Sequence, residues 1–225
     1  MRTDGAHAPK LTLTFDNGPT PGITDQVLDV LGGRGIGATF FAIGTQLRRP
    51  GGRTLARRAI AEGHRVGHHT MTHTVLLGAA GSTDEAVELE IAALASEMEE
   101  YDGEERLFRP YAAGGVLDHR VFSEAAVRYL MDNGYTCVLW NSLPHDWDDP
   151  SGWVDRALAD VGARPWTVVV LHDIDSGAMD RLPDFLDEAS KRGIEIVSNF
   201  PDSCVPIRRG HLLQTVAQLT METAS

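Results

Sequence analysis

Disulfides, membrane spans and a basic surface are all scarce or missing in this chain of 225 residues. Two cysteines, Cys137 and Cys204, lie far apart and cannot build a disulfide framework. Cys137 falls in the apolar run Tyr135-Thr136-Cys137-Val138-Leu139-Trp140, where a thiol acts as a small buried hydrophobe. No apolar run reaches the ~18 residues of a transmembrane helix. Lys and Arg number 20 against 32 Asp and Glu, a formal charge of −12. That balance argues against nucleic acid or an anionic membrane as partner, because both reward a basic face. Residues 1–10 carry no apolar segment of a secretory signal. A chain that naturally starts there is expected in the cytoplasm, and one trimmed from a longer precursor is expected to be secreted. Repeats, low-complexity stretches and linkers are also missing. With 42% hydrophobic residues, the length suits one catalytic domain over residues 1–225. No pattern specifies an oligomeric state.

What is present alternates. Residues 11–15, 38–43, 65–67, 106–109, 135–140, 166–171 and 194–197 read as strands. Helical spacing or end signals mark 24–31, 54–61, 118–133, 151–161 and 179–192. A further helix is expected to open at Ser82, which forms a capping box with Glu85, and to bury Ala86, Leu89, Ala93 and Leu94 on its way to Met98. Such alternation predicts parallel strands joined by right-handed crossovers. An open doubly wound sheet and a closed barrel both fit it. Asp16, His69, Arg109, Asp146 and His172 each lie at or just after a strand end, on different units. An open sheet gathers its site at one switch point, whereas a barrel draws on many strand ends. The expectation is therefore an α/β barrel of about seven parallel strands with its site at the C-terminal rim.

The same residues carry chemistry. His69 and His73 are spaced i, i+4 and would share one face, and one metal ion, if their segment were a helical turn. Asp16 and Asn17 leave the first strand before Gly18-Pro19 forces a turn, so one side chain can face an ion and the other a substrate. A metal-dependent hydrolase needs an ion to polarise a carbonyl and a carboxylate to take a proton from water. His172 suits a general acid, Asp146 a carboxylate that holds it protonated, and Arg109 a cation that orients Asp16. Trp147 could wall the site.

In chain order, T-F-D-N-G-P at 14–19, H-T-M-T-H at 69–73, F-R-P-Y at 108–111, D-W at 146–147 and V-V-L-H at 169–172 resemble the polysaccharide deacetylase family. This is the NodB-homology group, carbohydrate esterase family four, and the resemblance runs over residues 11–206. It implies a distorted (β/α) barrel and metal-assisted removal of N-acetyl, sometimes O-acetyl, groups from amino-sugar oligo- or polysaccharides. It implies that Asp16 is the base, His172 the acid, Asp146 its partner and Arg109 the residue that steers the base. His69 and His73 match the metal histidines, Val170 an apolar wall of the acyl pocket, and Tyr111 a backbone donor to the oxyanion. The implied ion is divalent, zinc first, with cobalt, nickel or manganese as alternatives. Asn17 departs from the pattern by replacing the metal-binding aspartate with an uncharged amide. The arginine motif is one residue short, leaving the oxyanion donor open between Tyr111 and Ala112, and Leu143 stands at a position often filled by aspartate. Two other functions fit the same scaffold: an allantoinase-like hydrolase of small non-sugar amides with weak or no metal dependence, and a non-catalytic carbohydrate-binding relative.

Overall fold

A computed structural model describes residues 8–79 and 84–220. Strand β1 (Lys10–Asp16) sets the plan of the molecule. Leu11, Leu13 and Phe15 join the largest apolar core, packed against helices, so Thr12, Thr14 and Asp16 face the other side of the sheet. Strands β2 (Thr39–Ala42), β3 (Arg65–His68), β4 (Arg106–Phe108), β5 (Tyr135–Cys137) and β6 (Trp166–His172) run parallel with β1, in the order β6-β1-β2-β3-β4-β5. The short β7 (Glu195–Ile196) shares the β1 edge with β2, pairing with Lys10 and Leu11 while β2 takes Thr14 to Asp16.

The sheet curls into a distorted barrel whose last seam lacks a ladder. One bridge, Ser142 to Val169, joins the chain beyond β5 to β6. Asn141 stands in for strand backbone there: its amide donates to the Trp166 carbonyl at 3.0 Å and accepts the Val168 N–H at 2.8 Å. Phe41, Leu107, Val138 and Val168 fill the interior with Phe200, Cys204 and Val205. Both cysteines are buried free thiols, and burial pushes each thiol pKa upward. Helices α1 (Ile23–Gly32), α2 (Gly44–Leu47), α3 (Gly52–Ala61), α4 (Asp84–Val87), α5 (Ala93–Met98), α6 (Glu124–Asp132), α7 (Trp153–Gly162) and α8 (Leu182–Lys191) form the outer layer. Among the described residues no helix is long and apolar enough to cross a membrane.

Four features depart from the sequence reading. The fifth strand stops at Cys137, because Leu139 turns away to donate to the Cys204 carbonyl at 2.7 Å. A C-terminal hairpin, β8 (Ile207–Arg208) and β9 (His211–Leu212), was not anticipated, although Arg209 and Gly210 both adopt the positive φ that a two-residue hairpin loop requires. The α6 helix begins at Glu124 rather than 118, capped by Ser123, whose hydroxyl accepts the Ala126 N–H at 3.1 Å. The Ser82 capping box lies outside the described residues, and the stripe assigned to its helix is corrected. A π-turn (Glu88–Ala92) sits between α4 and α5 and changes the register. Val87, Glu90, Ile91, Leu94 and Met98 are buried, and Leu89 is 50% exposed.

Candidate active site

Parallel register places the first two groups. Asp16 on β1 is the Cα partner of His172 on β6, so two polar side chains emerge side by side at the C-terminal rim. Each is held from behind. Arg109 follows β4, has no exposed surface, and reaches across the interior to donate to Asp16 Oδ1 at 2.8 Å and Thr14 Oγ1 at 2.7 Å. Its Nε donates to the Val138 carbonyl at 3.1 Å, and its guanidinium lies 4.0 Å over the Phe41 ring. Burial pulls the Arg109 pKa below the usual guanidinium range, against the opposing pull of Asp16. Asp146 is equally buried and grips His172 twice, accepting the imidazole Nδ1–H at 2.8 Å and the backbone N–H at 2.9 Å. Nε2 of His172 is thereby left for the cavity. Burial disfavours charge on His172, but the hydrogen bond and charge of Asp146, helped by Asp16 and Asp173, prevail and raise its pKa above the ordinary histidine value. Trp147 meets the His172 ring edge-on, with centroids 4.7 Å apart.

His69 and His73 come together without a helix. The segment after β3 is an irregular loop in which Thr70 and His73 have positive φ, and this loop, not a helical turn, brings the two rings within 4.7 Å. His69 spends Nδ1 on the Arg109 carbonyl at 3.0 Å, and its Nε2 lies 3.5 Å from Asp16 Oδ2. The bond from Nδ1 to the Arg109 carbonyl fixes the tautomer and ring plane, as a backbone carbonyl does behind metal-binding imidazoles, and leaves Nε2 as the ligating nitrogen. Burial lowers both imidazole pKa values to about 3, so both rings are neutral and available as ligands at ordinary pH. Among the described residues no three His, Cys, Asp or Glu side chains form an ion site. The third donor lining the same cavity is the amide of Asn17, whose Oδ1 is buried and has no hydrogen-bond partner. Asn17 has φ 75°, a left-handed conformation that asparagine tolerates better than most residues. An orphaned, buried acceptor on a residue that shares its cavity with two neutral imidazoles fits a divalent cation.

These side chains line a cavity of about 280 Å³. Asp16, Asn17, His69, His73, Tyr111, Trp147, Val170 and His172 all reach it, while Arg109 and Asp146 stand behind it. Sequence reasoning missed the apolar walls Trp140 and Ile174 and treated Leu143 only as a departure. It also missed Asp173, buried beside His172, which accepts from Thr24 Oγ1 at 2.5 Å. Burial pushes the pKa of Asp173 up to about 7, against the Thr24 hydrogen bond. The only signal for it was an acidic residue directly after the strand-end histidine. A larger cleft of about 750 Å³ opens around Arg65, Trp166 and Arg208, but its one imidazole, His64, accepts the Ala38 N–H at 3.1 Å. Chemistry rather than volume therefore selects the rim site.

Comparison with known proteins agrees with this geometry. The family model described as polysaccharide deacetylase matches residues 4–138. A peptidoglycan-N-acetylglucosamine deacetylase of Bacillus cereus is 36% identical over 198 residues, covering 84% of this chain and 85% of that protein. A chitooligosaccharide deacetylase of Sinorhizobium fredii is 38% identical over 173 residues, 75% of this chain and 74% of the relative. The solved structure of a T48 deacetylase with substrate superposes with a TM-score of 0.68 at 27% identity, over 87% of this chain and 91% of that one.

Proposed function

The chain belongs to the polysaccharide deacetylase family, and from that premise we propose that its rim site hydrolyses N-acetyl groups of an amino-sugar oligo- or polysaccharide. The observation that carries this reading is the pair of separately buttressed groups, Asp16 on Arg109 and His172 on Asp146, side by side over one cavity. Hydrolysis of an unactivated amide needs a base for the water and an acid for the departing nitrogen, and both are present. Asp16 takes a proton from the attacking water as its oxygen bonds to the acyl carbon. His172 then gives its Nε2 proton to the amine nitrogen as the C–N bond breaks, releasing acetate and a free amine. The oxyanion is met by a backbone N–H of Tyr111 or Ala112. Val170, Trp140 and Leu143 shelter the acyl methyl from water.

A divalent ion is the family-level expectation, and His69, His73 and Asn17 are the residues that would hold it. Two imidazoles and an amide oxygen suit zinc, with cobalt, nickel and manganese as alternatives. When bound, the ion supplies Lewis-acid polarisation of the acyl oxygen and lowers the pKa of water.

Elemental analysis of the wild type beside Asn17→Asp tests the ligand set. The substitution is expected to tighten ion binding by at least about tenfold, since one ligand of a divalent ion gains a full charge in a partly desolvated site. Equal affinity in the two proteins would remove Asn17 from the set. The acid assignment is read from pH. His172 donates while protonated, so the high-pH limb of kcat/KM falls as pH rises through its raised pKa. Asp146→Asn removes the charge that raises that pKa, so the limb is expected to move to lower pH. An unmoved limb would assign it to another group.

A further inference from the structure

Glu90 has no exposed surface and no part in the chemistry described above, yet it is bonded to the loop that carries both imidazoles. Its Oε2 accepts the Thr72 N–H at 2.9 Å, and its Oε1 accepts the Thr72 hydroxyl at 2.5 Å. Its backbone carbonyl accepts the Met71 N–H at 2.9 Å. A buried carboxylate is costly to a fold unless it is well hydrogen-bonded, and here both oxygens are bonded to a single residue, Thr72, directly before His73 in the loop that also carries His69.

The loop needs such a hold. Thr70 has φ 62° and His73 φ 59°, left-handed conformations that are unfavourable for side-chain-bearing residues and that persist only where surrounding contacts impose them. From the other side, Gly44 and Thr45 donate to the Thr70 and Met71 carbonyls at 3.0 and 2.9 Å. Thr72 is the point held by a side chain from outside the loop. The π-turn is the local reason that Glu90 can do this. It sets Glu90 inward with Val87, Ile91 and Leu94 while Leu89 faces solvent, and such turns recur at functional sites.

We propose that Glu90 is a positioning residue: through Thr72 it fixes the separation and tilt of the His69 and His73 rings and so sets the affinity of the site for a divalent ion. This rests on the reading of His69 and His73 as ion ligands. Metal-free protein titrated with Co(II), followed by d–d absorption, tests it on wild type, Glu90→Ala, Glu90→Gln, Thr72→Ala and His73→Ala. Glu90→Ala is expected to weaken Co(II) binding about 10- to 100-fold and to change the absorption envelope, the range typical when a support behind a metal ligand is lost. Glu90→Gln is expected to recover most of the affinity, because its amide oxygen still accepts the Thr72 N–H. Should Glu90→Ala fail to fold, Thr72→Ala reads the same link from the half-buried loop side and is expected to weaken binding severalfold.

Wild-type affinity and spectrum in folded Glu90→Ala, or in Thr72→Ala where the first variant does not fold, would overturn the inference. If His73→Ala still loses the ion, only the role of Glu90 fails. If His73→Ala also binds as wild type does, or the wild type binds no Co(II), the ligand reading under Proposed function fails and takes this one with it.

Discussion

Asp16→Asn is expected to lower kcat on an N-acetylated amino sugar by about 10²- to 10⁴-fold, the span that a positioned general base contributes. The choice of asparagine matters. Arg109 has no exposed surface, and Asp16 is the only carboxylate that contacts it among the described residues. Alanine would leave a buried guanidinium without its partner, which costs on the order of 3–5 kcal/mol and would confuse lost catalysis with lost folding. The asparagine Oδ1 still accepts the Arg109 N–H, so the barrel interior keeps its bond while the site loses its proton acceptor. KM is expected to change little, because proton transfer belongs to the transition state rather than to binding. Steady-state kinetics with a thermal melt on the same preparation check both parts. A loss below about tenfold in the folded variant would remove Asp16 as the base.

His172→Asn should separate substrates by their leaving groups. The asparagine Nδ2 can occupy the place of the imidazole Nδ1 and keep the bond to Asp146 Oδ1, which would otherwise lose its partner in a fully buried carboxylate whose Oδ2 alone is held by the residue-172 backbone N–H. What it lacks is Nε2, the proton donor facing the cavity. On an N-acetyl sugar the departing amine must be protonated, so kcat/KM is expected to fall by about 10²- to 10⁴-fold. On an aryl acetate the leaving group departs without a proton, and the loss is expected to stay below about tenfold. Parallel assays of the two substrates decide the role. Equal losses on both would show that His172 orients substrate or shapes the pocket instead of supplying a proton.

Legibility in the sequence followed the range of the forces involved. Residues 11–15 read as a strand with Asp16 at its end, and the structure has that strand, with Leu11, Leu13 and Phe15 in the core and Asp16 on the opposite face. The parallel order follows from repeated strand and helix, and the rim position of Asp16, His69, Arg109, Asp146 and His172 follows from their places at strand ends. Less was legible where distant segments decide the outcome. The i, i+4 spacing of His69 and His73 suggested a helical turn, but Thr70 and His73 are held left-handed by Thr45, Gly44 and Glu90, none of which the local spacing reveals. Leu89 matched a helical apolar stripe and is exposed, because the π-turn changes the register that the stripe assumed. Asn17 was legible as an oddity; only the structure shows its Oδ1 buried and without a partner among the other donors.

The central claim is that this rim site removes N-acetyl groups. It is tested most directly by incubating the protein, loaded with zinc or cobalt, with N-acetylglucosamine oligomers and quantifying acetate and free amine together. The account predicts equal amounts of acetate and new amine from the wild type and release of both slowed by about 10²- to 10⁴-fold in Asp16→Asn. A folded protein with its ion bound at His69 and His73 that releases neither product would contradict it.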